Sequence, residues 1–224
     1  MKREITRTGD GSYTIFLPEW NEHYHSKHGA VQEALHVFLK TGLEHYLVKN
    51  KPGKIAILEI GFGTGLNALL TLLEAENEKL RVDYTGVEAY PVEARELELL
   101  DYSAAVGGGK ASILFEKLHS CAWEKREEIS PFFRLQKEKK FFKEISEESA
   151  FDLIYFDAFG PRVQPELWSE EVFVNMYKCL RNNGVLVTYS AKGSVRRAMQ
   201  AAGFAVERLP GPPGKREMLR ATKA

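Results

Sequence analysis

Short apolar runs alternate with helical patterns along most of the chain. Runs rich in Ile, Leu, Val and aromatic residues predict buried strands, and apolar residues recurring every three or four positions predict helices. Strands that alternate with helices are typical of a parallel sheet covered on both faces. The predicted strands are residues 55–60, 82–88, 132–136, 151–157, 185–190, 204–209 and 217–221. The predicted helices are residues 66–75, 91–100, 111–123, 165–180 and 194–202, with a short one near 141–145.

These elements predict an α/β fold with a seven-stranded, mostly parallel sheet. The Pro/Gly-rich connection between the last two strands favours an antiparallel edge. Before the sheet, a hairpin around Gly9-Asp10-Gly11 and a helix from Ala30 onward predict a small N-terminal extension over residues 1–50, packed on a main domain at 51–224. Residues 124–149 hold seven acidic and seven basic side chains and are interpreted as a solvated insertion. Residues 112–115 could alternatively form a strand.

Composition places the chain among ordinary globular proteins, with 44% hydrophobic and 28% charged residues. No apolar run approaches the ~20 residues that span a bilayer, and the N-terminus lacks a secretory apolar segment. The two cysteines, Cys121 and Cys179, are expected to be reduced thiols, so we expect a cytoplasmic protein without a membrane partner. The histidines of residues 23–45 have no standard ligand spacing, and we expect no metal.

Charge is balanced overall but unevenly distributed. The chain carries 31 basic and 31 acidic residues, yet residues 192–224 hold eight Lys or Arg and two Glu. This asymmetry indicates one basic face on an otherwise acidic body. A solvated tail with scattered charge explains the same numbers.

A glycine-rich bend follows the first predicted strand of the main domain. Gly61, Gly63 and Gly65 lie between that strand and its helix, where ligands bind in open α/β sheets. Dinucleotide sites prefer G-x-G-x-x-G, whereas G-x-G-x-G after the acidic Glu59 looks like the S-adenosylmethionine (SAM) loop of class I methyltransferases. Glu88 ends the second strand, at the position of an acid that accepts hydrogen bonds from ribose hydroxyls. A plain strand-to-helix turn is the alternative.

A second candidate constellation follows the fourth strand, in the sequence YFDAFGP. Amine methylation needs a neutral acceptor nitrogen, held in line with the methyl group and shielded from water. A carboxylate at this strand end can hydrogen-bond the amine and receive its proton. We therefore predict Asp157 as catalytic, with a loop-capping Asp as the structural alternative. Trp168, in QPELW, is expected to pack and to brace this loop.

Three longer stretches carry a family resemblance. FDAFGPRVQPELWSEEVF, GVLVTYSAKGSVRRAMQAAGF and VERLPGPPGKREMLRA together resemble the tRNA 5-aminomethyluridine methyltransferases, the family of MnmD and of the methyltransferase half of bifunctional MnmC. The resemblance covers residues ~23–222 and includes YHSKHGAVQEALHVFLKTGL. It implies a Rossmann-like class I methyltransferase that moves a methyl group from SAM to the aminomethyl nitrogen of wobble uridine 34 in tRNA. The flavin-dependent oxidase half of MnmC has no room here, so no flavin is expected.

The resemblance and the residues together give a site prediction. Tyr189 ends the fifth strand and is a second catalytic candidate, able to stack on a flipped uridine, or alternatively a core Tyr. Many family members have Gly-Asp where this chain has Lys137-Glu138, and Glu138 could replace that acid at the adenine end. The predicted SAM contacts are Glu59, Gly61, Phe62, Gly63, Gly65, Asn67, Glu88 and Asp157. The predicted substrate and tRNA contacts are Tyr24, His25, Glu33, Phe159, Lys192, Arg196, Arg197, Lys215 and Arg216.

Two other functions fit parts of the same pattern. A polyamine-synthase-like transferase would use SAM or decarboxylated SAM and a small amine, but it would need a strongly acidic acceptor pocket. A non-catalytic SAM- or RNA-binding protein would share the fold. The acidic residues Glu59, Glu88 and Asp157 favour the enzyme.

Overall fold

The computed structural model describes residues 2–100 and 102–224. The strands are β1 (Glu4–Arg7), β2 (Tyr13–Leu17), β3 (Glu22–His23), β4 (Lys54–Ile60), β5 (Arg81–Val87), β6 (Arg126–Ser130), β7 (Phe133–Glu138), β8 (Phe151–Phe156), β9 (Leu180–Thr188), β10 (Ala205–Pro210) and β11 (Glu217–Thr222). The helices are α1 (residues 30–50), α2 (Leu66–Glu78), α3 (Ala94–Leu97), α4 (Ser103–Val106), α5 (Gly109–Ser120), α6 (Glu170–Cys179) and α7 (Gly193–Ala201). Two single 3-10 turns lie at Phe142–Glu144 and Pro165–Trp168.

The central sheet has the order β10-β11-β9-β8-β4-β5-β7-β6. The strands from β9 to β7 are parallel, and each edge ends in antiparallel pairing. The α/β class, the mostly parallel sheet and the antiparallel edge formed by β10 and β11 are therefore confirmed. The sheet has eight strands, however, and not the predicted seven.

The additional strand is β6, which lies inside the segment interpreted as a solvated insertion. It pairs antiparallel with β7, and both Lys137 and Glu138 of β7 are buried. Its charged sequence concealed β6, because Ile129 is the one buried residue among its five. The alternative strand at 112–115 lies within α5, and the predicted helix at 91–100 is reduced to α3.

Neighbouring residues on each central strand enter opposite halves of the core. Ile57 of β4 packs into one apolar cluster, together with side chains of α1 and α2 such as Phe38 and Leu69. The next residue, Leu58, packs into a second cluster with Phe173 and other side chains of α6 and α7. This period of two explains why the strands read as continuous apolar runs, since both faces are buried.

The N-terminal extension consists of the three-stranded sheet β1-β2-β3 and helix α1. The middle of α1, Leu35–Glu44, is wound as a π-helix. Gly42 lies in this stretch against β9, where an added Cβ would be 2.9 Å from Val187 Cγ2. Glycine therefore allows α1 to approach the sheet closely. The division at residue 50 remains a prediction.

We expect Gly42→Leu to lower the free energy of unfolding by about 1–3 kcal/mol, because the new side chain overpacks the contact with Val187. Chemical denaturation monitored by circular dichroism measures the change. Gly53→Leu is the matched control, because no atom lies within 4 Å of a Cβ there. Equal stability losses in the two variants would contradict the close approach of α1.

Candidate active site

A large cavity opens at the carboxyl ends of β4, β5 and β8. Its volume is about 1480 Å³, and both carboxylates and aromatic rings line it. This is the edge at which open α/β sheets bind ligands. The predicted site residues among its lining are Tyr24, His25, Glu59, Gly61, Phe62, Gly63, Asn67, Glu88, Asp157, Phe159 and Tyr189.

The glycine bend links β4 to α2 at the floor of this cavity. Gly61 has a φ of +90°, and an added Cβ would lie 2.6 Å from the Asp157 carbonyl oxygen. Gly65 precedes α2 in the left-handed region, with a φ of +73°. Steric clashes disfavour any residue other than glycine at both positions. The bend therefore brings the ends of β4 and β8 into direct backbone contact.

The amide of Asn67 connects two buried acids. Its Nδ2 donates to Glu59 Oε1 and to Asp157 Oδ2, each at 2.9 Å. The Tyr84 hydroxyl donates to the other oxygen of Glu59 at 2.8 Å. Because the carboxylates accept hydrogen bonds, the amide must present its NH2 group to both. The buried Asn67 Oδ1 has no hydrogen-bond partner among the described residues.

Burial disfavours the ionised forms of both Glu59 and Asp157. It raises the pKa of Glu59 well above its ordinary value, against the hydrogen bonds from Asn67 and Tyr84 that lower it. Burial also raises the pKa of Asp157 to about 7, and the Glu33 carboxylate adds to the effect. Asn67 and the Lys215 ammonium act in the opposite direction. Asp157 can therefore exchange a proton near neutral pH.

Glu88 holds the outer part of the bend. Its Oε2 accepts from the Gly63 backbone N–H at 3.1 Å, and its Oε1 accepts from that of Tyr90 at 2.9 Å. Each carboxylate oxygen keeps a lone pair for a further donor. Glu138 is occupied differently: it accepts from Gln136 and pairs with Lys140 at 2.7 Å.

Aromatic rings form a second part of the cavity lining, called the aromatic wall below. Phe159 packs edge-on against Trp20 and Tyr24, with ring centroids 5.4 Å and 4.9 Å away. The Trp168 indole N–H donates to the Phe159 carbonyl at 2.7 Å, so Trp168 braces the loop after β8 as expected. The Tyr189 hydroxyl donates to the Ala158 carbonyl at 2.8 Å. Both braces fix the loop that carries Asp157.

His25 lies in a buried polar cluster beside this wall. Its Nδ1 lies 3.2 Å from the Thr14 hydroxyl, and its Nε2 lies 3.5 Å from that of Thr64. Burial lowers its pKa to about 4, so the imidazole is neutral at physiological pH. His25 therefore adds no positive charge to the cavity.

Lys215 occupies a position that the sequence pattern does not indicate. The pattern groups it with the phosphate-binding cations, but its ammonium pairs with the buried Glu33 carboxylate and lies 3.8 Å from the Tyr189 ring centroid. The two residues of this pair are 182 positions apart in the chain, and contacts between such distant residues leave no local signal in a sequence. Tyr84, which holds Glu59, is absent from the predicted site because it reads as an ordinary strand residue.

The remaining predicted basic residues lie outside this cluster. Lys192 and Arg197 are exposed at α7, and Arg216 is exposed after the Pro/Gly-rich turn. Arg196 is half-buried, and its Nε has no hydrogen-bond partner among the described residues. The first three are therefore the ones accessible to a large polyanion.

Metal-binding and membrane-spanning features are both absent from residues 2–100 and 102–224, the part of the chain that the structure describes. No group of three or more His, Cys, Asp or Glu side chains there has the arrangement of a metal site. None of the helices in that part is long and apolar enough to cross a membrane.

Comparisons with known proteins find similar sequences. Residues 135–224 match the model of an S-adenosyl-L-methionine-dependent methyltransferase family. The chain is 30% identical to the tRNA 5-methylaminomethyl-2-thiouridine biosynthesis bifunctional protein MnmC of Paracidovorax citrulli, over 99% of this chain and 35% of the relative. It thus spans about a third of the MnmC relatives' length.

Solved structures are also similar to this chain. The crystal structure of MnmC2 from Aquifex aeolicus superposes with a TM-score of 0.82 and 28% identity, over 100% of this chain and 70% of that one. Spermidine synthase from Thermotoga maritima shares the fold with a TM-score of 0.55 at 15% identity, over 99% of this chain and 69% of that one. At such low identity the second likeness concerns the fold alone.

The raised pKa of Asp157 predicts a pH-dependent stability difference. In the unfolded chain this carboxyl ionises near its ordinary value of 3.8, whereas in the folded protein it ionises at about 7. The stability contributed by the neutral folded form is complete below the lower value and is lost as pH rises through the higher one. Relative to Asp157→Asn, the wild type should lose about 1–3 kcal/mol between about pH 4.5 and pH 7.5 in urea unfolding.

Asp10→Asn provides a control of opposite sign. Burial opposes the effect, but hydrogen bonds from Ser12, Gln32 and Thr8 lower the pKa of Asp10 overall. Its stabilisation is therefore already complete across the same pH range and is lost only at lower pH. A pH-independent difference for Asp157→Asn would show that Asp157 ionises normally in the folded protein.

Proposed function

We propose that this chain, which belongs to the S-adenosyl-L-methionine-dependent methyltransferase family of the MnmC proteins, methylates a modified wobble uridine of tRNA. The acceptor is the aminomethyl nitrogen of 5-aminomethyluridine, or of its 2-thio form, at position 34. The product is the corresponding 5-methylaminomethyl nucleoside. The observation that carries the proposal is that Asp157 lines the cavity and is bonded through Asn67 to the acidic side of the site, while the residues directly after it, Ala158 and Phe159, contact Tyr189 and Tyr24.

The acid-lined half fits SAM by its chemistry. SAM has a cationic sulfonium, an amino group and a ribose diol, all of which interact favourably with carboxylates, and it lacks the pyrophosphate of a dinucleotide. Glu59 and Glu88 supply carboxylates beside the glycine bend, and the unpaired Asn67 Oδ1 offers a further acceptor. We propose that the bend and these three side chains hold SAM, with Phe62 and Asp157 completing the site.

When bound, SAM supplies the methyl group: the acceptor nitrogen's lone pair forms the new N–C bond, and the electrons of the C–S bond remain on sulfur. The residues of the chain position the amine, exclude water and remove one proton. Asp157 accepts a hydrogen bond from the amine and receives the proton that the methylated nitrogen releases. A pKa of about 7 suits this exchange near neutral pH.

The aromatic wall suits a base that has left its stack. A wobble uridine must be splayed out of the anticodon loop before its aminomethyl group reaches a buried acid. Tyr189, Phe159 and Tyr24 present rings to the cavity, where such a base can stack. Lys192, Arg197 and Arg216 would then contact phosphates of the anticodon stem-loop without reading its sequence. We propose a cytoplasmic reaction that needs neither flavin nor metal.

The decisive experiment supplies SAM and tRNA bearing 5-aminomethyluridine at position 34. Mass spectrometry of the digested nucleosides should show the gain of one methyl group, with no flavin or metal added. Asp157→Asn should reduce turnover by about 100-fold or more while SAM binding, measured by calorimetry, is retained. Full activity of Asp157→Asn would show that Asp157 takes no part in the chemical step.

Two outcomes would replace this proposal. Methylation of putrescine-like amines without tRNA methylation would favour the polyamine-synthase-like function. SAM binding without transfer to either acceptor would favour a non-catalytic role. Tyr177→Phe serves as the control for Asp157→Asn, because Tyr177 packs against Phe204 and does not line the cavity.

The exposed basic residues predict a salt-dependent affinity for tRNA. Replacing Lys192, Arg197 and Arg216 by Glu should weaken binding and reduce the slope of log affinity against log salt by about one for each phosphate that the variant no longer binds. Filter binding at several salt concentrations measures both. The matched control replaces three exposed lysines near the amino ends of β4 and β5, namely Lys49, Lys51 and Lys79. If both triple variants have the same slope, the basic surface does not contact tRNA.

A further inference from the structure

Lys215 and Glu33 form a partly buried ion pair beside the proposed acceptor site. The Glu33 side chain is only 8% exposed. One of its oxygens accepts from the Ser26 backbone N–H at 2.9 Å, and the other pairs with the Lys215 ammonium. The carboxylate is therefore fixed through both oxygens, and its charge is compensated by a single side chain.

A rigid turn presents Lys215 to this position. The Lys215 backbone N–H donates to the Pro212 carbonyl at 2.9 Å, and that of Gly211 donates to the Arg216 carbonyl at 3.1 Å. Gly214 has a φ of +84°, and an added Cβ would lie 2.3 Å from the His28 ring. The turn thus packs against the segment before α1, and its prolines restrict the backbone further. Lys215 is held near Glu33 by its backbone as well as by its charge.

Tyr189 connects this pair to Asp157. Lys215 Nζ lies 3.8 Å from the centroid of the Tyr189 ring, and the Tyr189 hydroxyl bonds to the carbonyl of Ala158, the residue after Asp157. The titratable and polar groups around Asp157 come from six different parts of the chain. They are Glu33 of α1, Glu59 of β4, Asn67 of α2, Tyr84 of β5, Tyr189 after β9 and Lys215 before β11.

The charges in this group create a problem for an amine acceptor. The carboxyl groups of Glu33 and Glu59 both interact electrostatically with that of Asp157. Excess negative charge stabilises a protonated ammonium, which has no lone pair for the methyl group. Lys215 is the cation in the group and offsets one of these charges. Its removal would leave Glu33 as a buried carboxylate without its Lys215 partner, and the charge of Glu33 acts on Asp157.

We propose that Lys215 and Glu33 act together as positioning residues that set the charge state of Asp157 for amine methylation. The inference rests on the proposed function for its catalytic consequence, but not for the charge effect itself. Lys215 favours the ionised carboxylate that accepts the proton, and Glu33 opposes it. Burial apart, these are the two charged side chains that shift the pKa of Asp157, in opposite directions.

The charge effect is measured without any substrate. Carbon-13 NMR of labelled aspartate carboxyls follows the titration of Asp157, assigned by its loss in Asp157→Asn. We expect Lys215→Met to move the midpoint upward and Glu33→Gln to move it downward, each by about one pH unit. The double variant should titrate near the wild type, because both charges are absent. If Lys215→Met alone fails to fold, the double variant and Glu33→Gln still test the charge effect.

The catalytic consequence is measured as the pH dependence of kcat with the tRNA substrate. The limb assigned to Asp157 should move in the same directions as the NMR midpoint, so Lys215→Met loses roughly fivefold in kcat near pH 7. Lys215→Arg should restore the wild-type profile, since it keeps the charge. Lys223→Met is the matched control, because Lys223 also lies over a tyrosine, Tyr177, but away from the cavity.

Unchanged Asp157 midpoints in Lys215→Met, Glu33→Gln and their double variant would overturn the inference. So would equal pH profiles for Lys215→Met and Lys223→Met. A wild type that methylates neither tRNA nor small amines, with the NMR midpoints shifted as expected, would instead overturn the proposed function and leave the charge effect standing.

Discussion

The shared amide of Asn67 is the interaction on which the site depends. It donates one hydrogen bond to an acid at the end of β4 and one to an acid at the end of β8, and so ties adjacent strands at their functional edge. Burial raises the pKa of both carboxyl groups, and the hydrogen bonds from Asn67 partly offset this effect. Because Asn67 lies in the first turn of α2, the position of the amide is fixed by the glycine bend.

The scaffold makes this arrangement possible through close backbone approach. Gly61 lets the bend contact the Asp157 carbonyl, and Gly42 lets α1 pack directly on β9. The first contact sets the distance between the two acids. The second holds the N-terminal helix, and with it Glu33, against the sheet. A fold built from ordinary strands and helices thus acquires a precise site from two positions where a side chain would not fit.

The acceptor half is built differently, from segments that are distant in sequence. Tyr24 and Glu33 precede the main sheet, Phe159 and Tyr189 follow β8 and β9, and Lys215 belongs to the last turn. Each is held by backbone hydrogen bonds or aromatic packing, and the charges of Glu33 and Lys215 both act on Asp157. The donor half uses a local motif, whereas the acceptor half is a tertiary assembly, so substrate choice can vary while donor binding is retained.

The sequence alone determined the alternation of strands and helices, the glycine bend with Glu59, Asn67 and Glu88, and the acid after the fourth strand. These features are local, since a strand buried on both faces, a turn that needs glycine and a motif at a strand end each leave a pattern within a few residues. Only the tertiary structure decided that β6 joins the sheet, because its consecutive charged residues are also typical of a solvated segment. Only the tertiary structure moved Lys215 from the basic surface to Glu33, because a pairing across 182 residues depends on how the chain folds back and not on any spacing along it.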